Sequence, residues 1–349
     1  MNGKIRSPMK PESNGLTRLT KKRPSSMRGL CLVLAVVAIL VCVPGIRAQD
    51  FPTKTITLLI GNPPGAGTDV CSRMVVQGAR KFLGQEITPV NKPGGGGAVA
   101  AGLLANSKGD GYTLLAVSSP CLTCTPYLET VPYDPFKDFV PIIQFGSFKT
   151  GIIVRADSPF KSFKDLVEFA RKNPGKVSYG IPGIGVTTHL VMESLMFDEK
   201  VNIAIVPFDG AVPAVTALLG GHITSCGIST SGFKPHLKTG KVRVLVATQD
   251  KRIEDLPDIP AITELGYARS AFTEVYVILA PKGTPPSVAK ALEDAFRKSM
   301  DTPEYRALAT GFDMYTENPL SGQKLKDHLQ MGYVKNGEII QKANLGKSK

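Results

Sequence analysis

Three glycine-rich stretches hold the residue types best suited to gripping a small ligand: "GNPPGAGTD" (61–69), "NKPGGGGAVAAG" (91–102) and "IPGIGVTTH" (181–189). Each follows a strand-like run and opens a helix. The first turn of a helix leaves backbone N–H groups unpaired and carries partial positive charge, so such turns suit an anion. A nucleoside triphosphate is excluded from the first stretch. A P-loop needs Lys-Ser or Lys-Thr after its last glycine, where this chain has Thr68-Asp69 and no base before Arg73. Asp69 is placed to cap its own helix, an interaction worth about 0.5–2 kcal/mol over Ala, with the amides of Gly65 to Thr68 left to face a ligand.

The second stretch carries a G-x-G-x-x-A at Gly95, Gly97 and Ala100, the outline of a dinucleotide fingerprint. The acidic ribose ligand that should follow the next strand is missing, since that strand ends in "AVSSP". Turn formation and helix packing explain these glycines, and a nicotinamide cofactor is not expected. In the third stretch His189 has the chemistry of a base but no assigned nucleophile or orienting carboxylate. The nearest approach to G-x-S-x-G is "GISTS" (227–231), which ends in Ser. An exported hydrolase using His189 and Ser229 is the alternative from another function class. Four cysteines lie beyond the N-terminal segment: Cys71, Cys121, Cys124 and Cys226. "CLTC" is able to close a local disulfide, although a structural role for both thiols is favoured. A single C-x-x-C and unpaired histidines do not make a zinc site.

The elements that must carry these loops alternate between strand and helix, which indicates an α/β architecture with largely parallel sheets. "KTITLLI", "EITPV" and "GYTLLAVS" read as strands in the first half, with helices over 69–82, ended by Gly84, and over 98–107, packed through small residues. The second half repeats the grammar with "GIIVR", "KVSYG", "VNIAIV" and "KVRVLVA" as strands. Its amphipathic helix is capped by Ser162 and stopped by Pro174-Gly175. Ligands in open α/β sheets sit beyond the carboxyl ends of the strands, so two such halves facing each other put their helix N-termini around one cleft.

The chain has 349 residues, 42% hydrophobic and 20% charged, enough for two globular domains. Its first part is an export signal. Lys21, Lys22, Arg23 and Arg28 precede the apolar run "GLCLVLAVVAILVCV", which stops at Pro44-Gly45 and is followed by an A-x-A-like cleavage site ending at Ala48. The fifteen residues of the run fall short of the roughly 20 that span a bilayer. Met27 is an alternative start, and "ILV" before Cys42 lacks the small residue of a lipoprotein signal. Removing residues 1–48 takes away nine Lys/Arg and one Glu, leaving 33 bases against 28 acids, a net +5 in place of +13. With no basic patch interleaved with aromatics and no Trp, nucleic acid is not implied.

Taken in order, "FPTKTITLLIGNPPGAGTD" (51–69), "GQEITPVNKPGGGGAVAAGLLANSKGDGYTLL" (84–115), "PYDPFKDFVPI" (132–142), "NPGKVSYGIPGIGVTTHL" (173–190), "VPFDG" (206–210), "GKVRVLVATQDKRIEDLPDIPAITELGY" (240–267) and "APKGTPPSV" (280–288) resemble one family. It is that of the exported solute-binding proteins of tripartite tricarboxylate transporters, the Bug or TctC-like family. The resemblance implies an α/β, two-domain periplasmic-binding-protein-like (type II) fold with a hinged interdomain cleft. Residues 49–150 plus 268–349 would form one domain and 151–267 the other. It implies a monomeric, periplasmic, non-enzymatic protein without cofactor or metal, which captures a small di-, tri- or aromatic carboxylate and delivers it to membrane permease subunits. Carried over by position, the ligand-binding residues are Pro64, Gly65, Ala66, Thr68 and Asp69 of the first loop and Gly183, Gly185, Val186, Thr187, Thr188 and His189 of the opposing loop. Ser118, Ser119, Phe208 and Asp209 are added from neighbouring segments. The chain departs from the family pattern at Ala66, Gly61-Asn62, Thr224 and Ala261. The first two bear on the ligand's side group and Thr224 on the wall opposite it.

Overall fold

A computed structural model describes residues 51–346. The expected signal segment 1–48 lies outside the described residues. Ten strands form two five-stranded sheets. The first half runs β1 (Ile56–Ile60), α1 (Gly67–Leu83), β2 (Ile87–Asn91), α2 (Ala98–Ala105), β3 (Thr113–Ser118) and β4 (Phe139–Phe148). The chain then enters a second sheet with β5 (Thr150–Arg155), α3 (Phe163–Lys172), β6 (Ser178–Ile181), α4 (Thr187–Glu199), β7 (Ala204–Pro207), α5 (Ala211–Leu219), β8 (Ser225–Ser229), α6 (Thr230–Lys238) and β9 (Val242–Ala247). It returns to the first sheet as β10 (Glu274–Pro281) and ends with α7 (Pro286–Met300), α8 (Pro303–Gly311) and α9 (Gly322–Lys342).

The strand orders are β2-β1-β3-β10-β4 and β7-β6-β8-β5-β9. Within each, the first three strands are parallel, and the fourth is antiparallel to both of its neighbours. The largely parallel sheets expected from sequence are therefore mixed. The cause is connectivity: β5 and β10 are the strands the chain enters on arriving from the other sheet. They start where the parallel strands end, so they run the opposite way. Their first residues, Thr150 and Glu274, thus lie beside the carboxyl ends of β8 and β3, opposite Ser229 and near Ser118 respectively.

Side-chain alternation along each strand fills both faces of the first sheet. Ile56, Leu58 and Ile60 pack with α1 and α7, whereas Leu59 packs with α2. α1 turns Cys71, Val75, Val76 and Ala79 inward and ends as expected at Gly84, whose N–H bonds Arg80 O. α3 begins with the predicted Ser162 cap, which forms a reciprocal capping box with Asp165. The small residues of α2 do pack closely: a methyl group on Gly102 would come within 2.7 Å of Pro132. α9 serves both halves, because Leu325 and Leu329 join the core around the first sheet and Ile340 the core of the second.

Candidate functional site

Loop 61–69 and loop 181–189 are built alike. Each has a glycine in left-handed conformation, Gly65 at φ 83° and Gly185 at φ 77°, followed by an extended apolar residue at the helix N-cap, Ala66 or Val186, without a side-chain cap. The third helical residue then reaches back. Asp69 Oδ2 accepts the Gly65 N–H at 2.9 Å, and His189 Nδ1 accepts the Gly185 N–H at 3.0 Å. This corrects the sequence reading of Asp69 as the cap residue: it holds the residue preceding the cap. It also commits the Gly65 amide to Asp69, so the amides left for a ligand are those of the first helical turns, beginning at Gly67 and Thr187.

Asp69 is the best-partnered of these side chains. Its Oδ1 accepts from Arg73 Nε and Asn91 Nδ2, both at 2.8 Å, and Asn91 Nδ2 also bonds Asn62 O at 2.9 Å. Burial alone would raise its pKa, but the Gly65 amide, Asn91 and Arg73 together hold the carboxyl below its ordinary value. Arg73 is thereby spent on the brace. His189 uses both ring nitrogens: Nδ1 accepts from Gly185, so the proton sits on Nε2, which faces Glu193 Oε1 at 3.1 Å. Ser229, its supposed hydrolytic partner, bonds Ser231 Oγ at 3.1 Å. The four cysteines are buried free thiols. Burial pushes Cys121 up to about 11 and Cys124 to about 12, so neither is poised for redox chemistry.

The two helix starts meet at the head of β10. Glu274 Oε2 accepts from Thr187 Oγ1 at 2.7 Å, at the first residue of α4. Two residues on, and so on the same face of the strand, the Tyr276 hydroxyl approaches the Thr68 side chain at the start of α1. Ser118, at the end of β3, brings its hydroxyl near the Glu274 carboxyl. Ser119 Oγ accepts from the Val275 N–H at 3.1 Å and its own N–H bonds Val275 O. Ser118, Ser119, Thr68, Thr187 and both loops are therefore brought together, with Glu274 and Tyr276 as a floor that sequence reasoning missed. The one available signal was an acid heading the otherwise apolar run "EVYVILAP". Burial pushes the Glu274 carboxyl up, partly opposed by the Thr187 and Ser118 hydroxyls.

Other expected residues sit less centrally. Pro64 is exposed at the tip of its loop, as Ile184 is at the tip of the other. Gly183 and Val186 flank Gly185, and Thr188 Oγ1 is buried with no protein partner. Phe208 packs partly into the core of the second sheet beside Gly180, while Asp209 is exposed. Thr224 bonds Ser178 through its backbone and hydroxyl, so it fastens the start of β6. Elsewhere, Lys234 of α6 bridges Asp313 and Asp255, with the Asp255 contact at 2.7 Å. Asp313 lies between Phe312 and Met314, which cover Gly67.

Comparison with known proteins fits this geometry. The family model described as "Tripartite tricarboxylate transporter family receptor" matches residues 71–345. The "UPF0065 protein in gbd 5'region" of Cupriavidus necator is 36% identical over 302 residues, covering 86% of this chain and 91% of that protein. A TctC solute-binding protein from Polaromonas, solved without ligand, superposes with a TM-score of 0.77 at 26% identity, covering 84% of this chain and 99% of the other. The R. palustris protein Rpa4515, solved with adipate, gives a TM-score of 0.68 at 25% identity over 85% and 99% of the two chains. The family and its structural neighbours are solute-binding receptors, not enzymes.

Proposed function

The chain belongs to the tripartite tricarboxylate transporter receptor family, and from that premise we propose that it captures a small organic carboxylate, a di-, tri- or aromatic acid, between loops 61–69 and 181–189. The observation that carries the reading is the meeting of two helix N-termini, each preceded by a braced glycine and an uncapped apolar residue, over the head of β10. Their first-turn amides point where no side chain of either loop supplies a cation. One helix start contributes about 0.3–1 kcal/mol to an anion, up to about 2 when partly buried, so both must engage the carboxylate together. Recognition through backbone amides reads the carboxylate and leaves the rest of the molecule to the surrounding walls. The adipate carried by the R. palustris neighbour is consistent with this chemistry.

In this reading residues 49–150 plus 268–349 and residues 151–267 act as two domains. Their hinge is Lys149, the single residue between β4 and β5, together with the return segment before β10. The receptor works as a periplasmic monomer after removal of its N-terminal segment, and hands the acid to permease subunits in the membrane. Thermal melting against a panel of carboxylic acids tests the capture. A ligand specific to the folded state adds about 2.7 kcal/mol at a hundredfold excess over Kd, and its methyl ester should lose most of that shift. Equal stabilisation by acid and ester, or no shift with any acid in verified ligand-free protein, would defeat the reading.

A further inference from the structure

Glu274 poses a problem for an anion receptor. It stands on the floor between the two helix starts, where a bound carboxylate would be a second negative group, and no salt bridge reaches it among the described residues. Its polar neighbours are hydroxyls, Thr187 from α4 at hydrogen-bond distance and Ser118 from β3 close by, which serve equally as donors or acceptors. Two carboxylates in one partly desolvated site cannot both stay ionised without a cation or a proton between them.

The cation on this side, Lys335, is engaged elsewhere and makes no salt bridge to Glu274. Glu274 and Thr187 border a cavity of about 300 Å³ that also touches Cys124, Asp250, His328 and Lys335. Lys335 Nζ is committed to Ala271 O and lies 4.4 Å from the centre of the Phe272 ring, and burial lowers its pKa to about 8. Burial also lowers the pKa of His328, which lies near the Thr273 backbone. Asp250 accepts the Thr273 hydroxyl at 2.6 Å and is itself an acid. The Cys124 thiol is held protonated by burial.

Building on the capture of a carboxylate proposed above, we propose that Glu274 is a ligand-binding residue of this site that acts as a hydrogen-bond donor. It enters the closed complex as a carboxylic acid whose O–H faces the bound carboxylate, so capture takes up one proton from solvent. The burial that already raises its pKa favours this form, and the arriving anion favours it further. The sign follows: a carboxyl with a raised folded value binds its proton more tightly in the assembled site. The associated stabilisation is fully present at low pH and is lost as pH rises through that folded value. Thr187 keeps its place by donating to the carbonyl oxygen of the acid, so the link between α4 and β10 survives protonation.

Calorimetric titration of the full mature chain with adipate, or with whichever acid of the panel binds, decides the matter when run in buffers of different ionisation enthalpy. The expected result is uptake of one proton per ligand at a pH where the added acid is fully ionised. Affinity should then fall about tenfold per pH unit over the window in which the proton is acquired. Glu274→Gln, which keeps a donor on the same frame, should bind the acid with a flat pH profile and no proton uptake. Binding by the wild type without proton uptake overturns the inference alone and needs no variant. An unchanged pH slope in Glu274→Gln overturns it too. Loss of affinity in that variant, with no proton uptake by wild type, means instead that an ionised Glu274 pairs with a cationic nitrogen on the ligand. If no carboxylic acid binds at all, the capture reading falls and this inference with it.

Discussion

Loop 61–69 and loop 181–189 place the same four-residue reach at a helix mouth, Gly65 to Asp69 in one and Gly185 to His189 in the other, but with acceptors of different electrical character. Asp69 brings a carboxylate to the first turn of α1 and must then be offset by Arg73 and Asn91. His189 offers a lone pair without adding an anion at that position. The positive end of α4 is therefore freer to hold a ligand carboxylate, whereas that of α1 is partly spent on its own brace. The space behind the glycines differs too. A methyl group on Gly65 would meet nothing within 4 Å, while one on Gly185 would come within 2.8 Å of Leu128 Cδ1. Loop 61–69 is thus fixed by hydrogen bonds and loop 181–189 by packing as well.

Substitution at the glycines should break this symmetry most sharply. Gly185→Val combines a left-handed backbone with overlap on Leu128, so it should abolish ligand binding as measured by calorimetry. Gly65→Val carries only the backbone strain, about 1–3 kcal/mol for a non-glycine residue held at positive φ. It should weaken binding while leaving more of the fold's stability than Gly185→Val. Equal affinities and melting points for the two variants would mean that Leu128 does not confine loop 181–189.

The braces come next in size. Asp69→Asn keeps one acceptor for Gly65 but sets an amide against the donors of Arg73 and Asn91, for an expected loss of roughly 2 kcal/mol by chemical denaturation. Its acid limb should also change. The folded value of Asp69 lies below its ordinary 3.8, so the stability it adds is fully present above that pH and disappears as pH falls through the folded value. Melting curves of Asp69→Asn should accordingly be flatter than wild type below about pH 4. His189→Ala removes the Gly185 acceptor and the Glu193 contact without stranding a charged brace such as Arg73, so a smaller loss of about 1 kcal/mol is expected. Should His189→Ala prove the more damaging of the two, the contrast between a charged and a neutral brace would be wrong.

The smallest effect is expected in overall dimensions. Lys234→Met removes the bridge to Asp313 and Asp255, in which the Lys234 and Asp313 side chains are only 16% and 15% exposed, so its stability cost exceeds that of a solvent-exposed pair. Small-angle scattering of the ligand-free protein, in low and high salt, should show a slightly larger radius for the variant than for wild type. Identical radii would indicate that the contact between loops and floor, and not this bridge, holds the two halves together.

Much of this molecule was legible from residues close together in the chain. The Ser162 capping box, the stop at Gly84, the strand at 56–60 and the two Gly-rich loops all depend on interactions within a few residues. Such signals survive in a linear reading because the chain has little freedom to place near neighbours otherwise. The order of seven motif segments likewise carried the family. Only the tertiary structure decided that Asp69 braces the residue before the cap instead of capping α1, because its partner Asn91 arrives from 22 residues away. It alone decided that β10 runs against β3 and so brings Glu274 to the site. The Thr187–Glu274 bond spans 87 residues and two sheets, and nothing local to "EVYVILAP" encodes it. Direction of entry into a sheet is a property of the whole path of the chain, and that path set the chemistry of the floor proposed to hold the ligand.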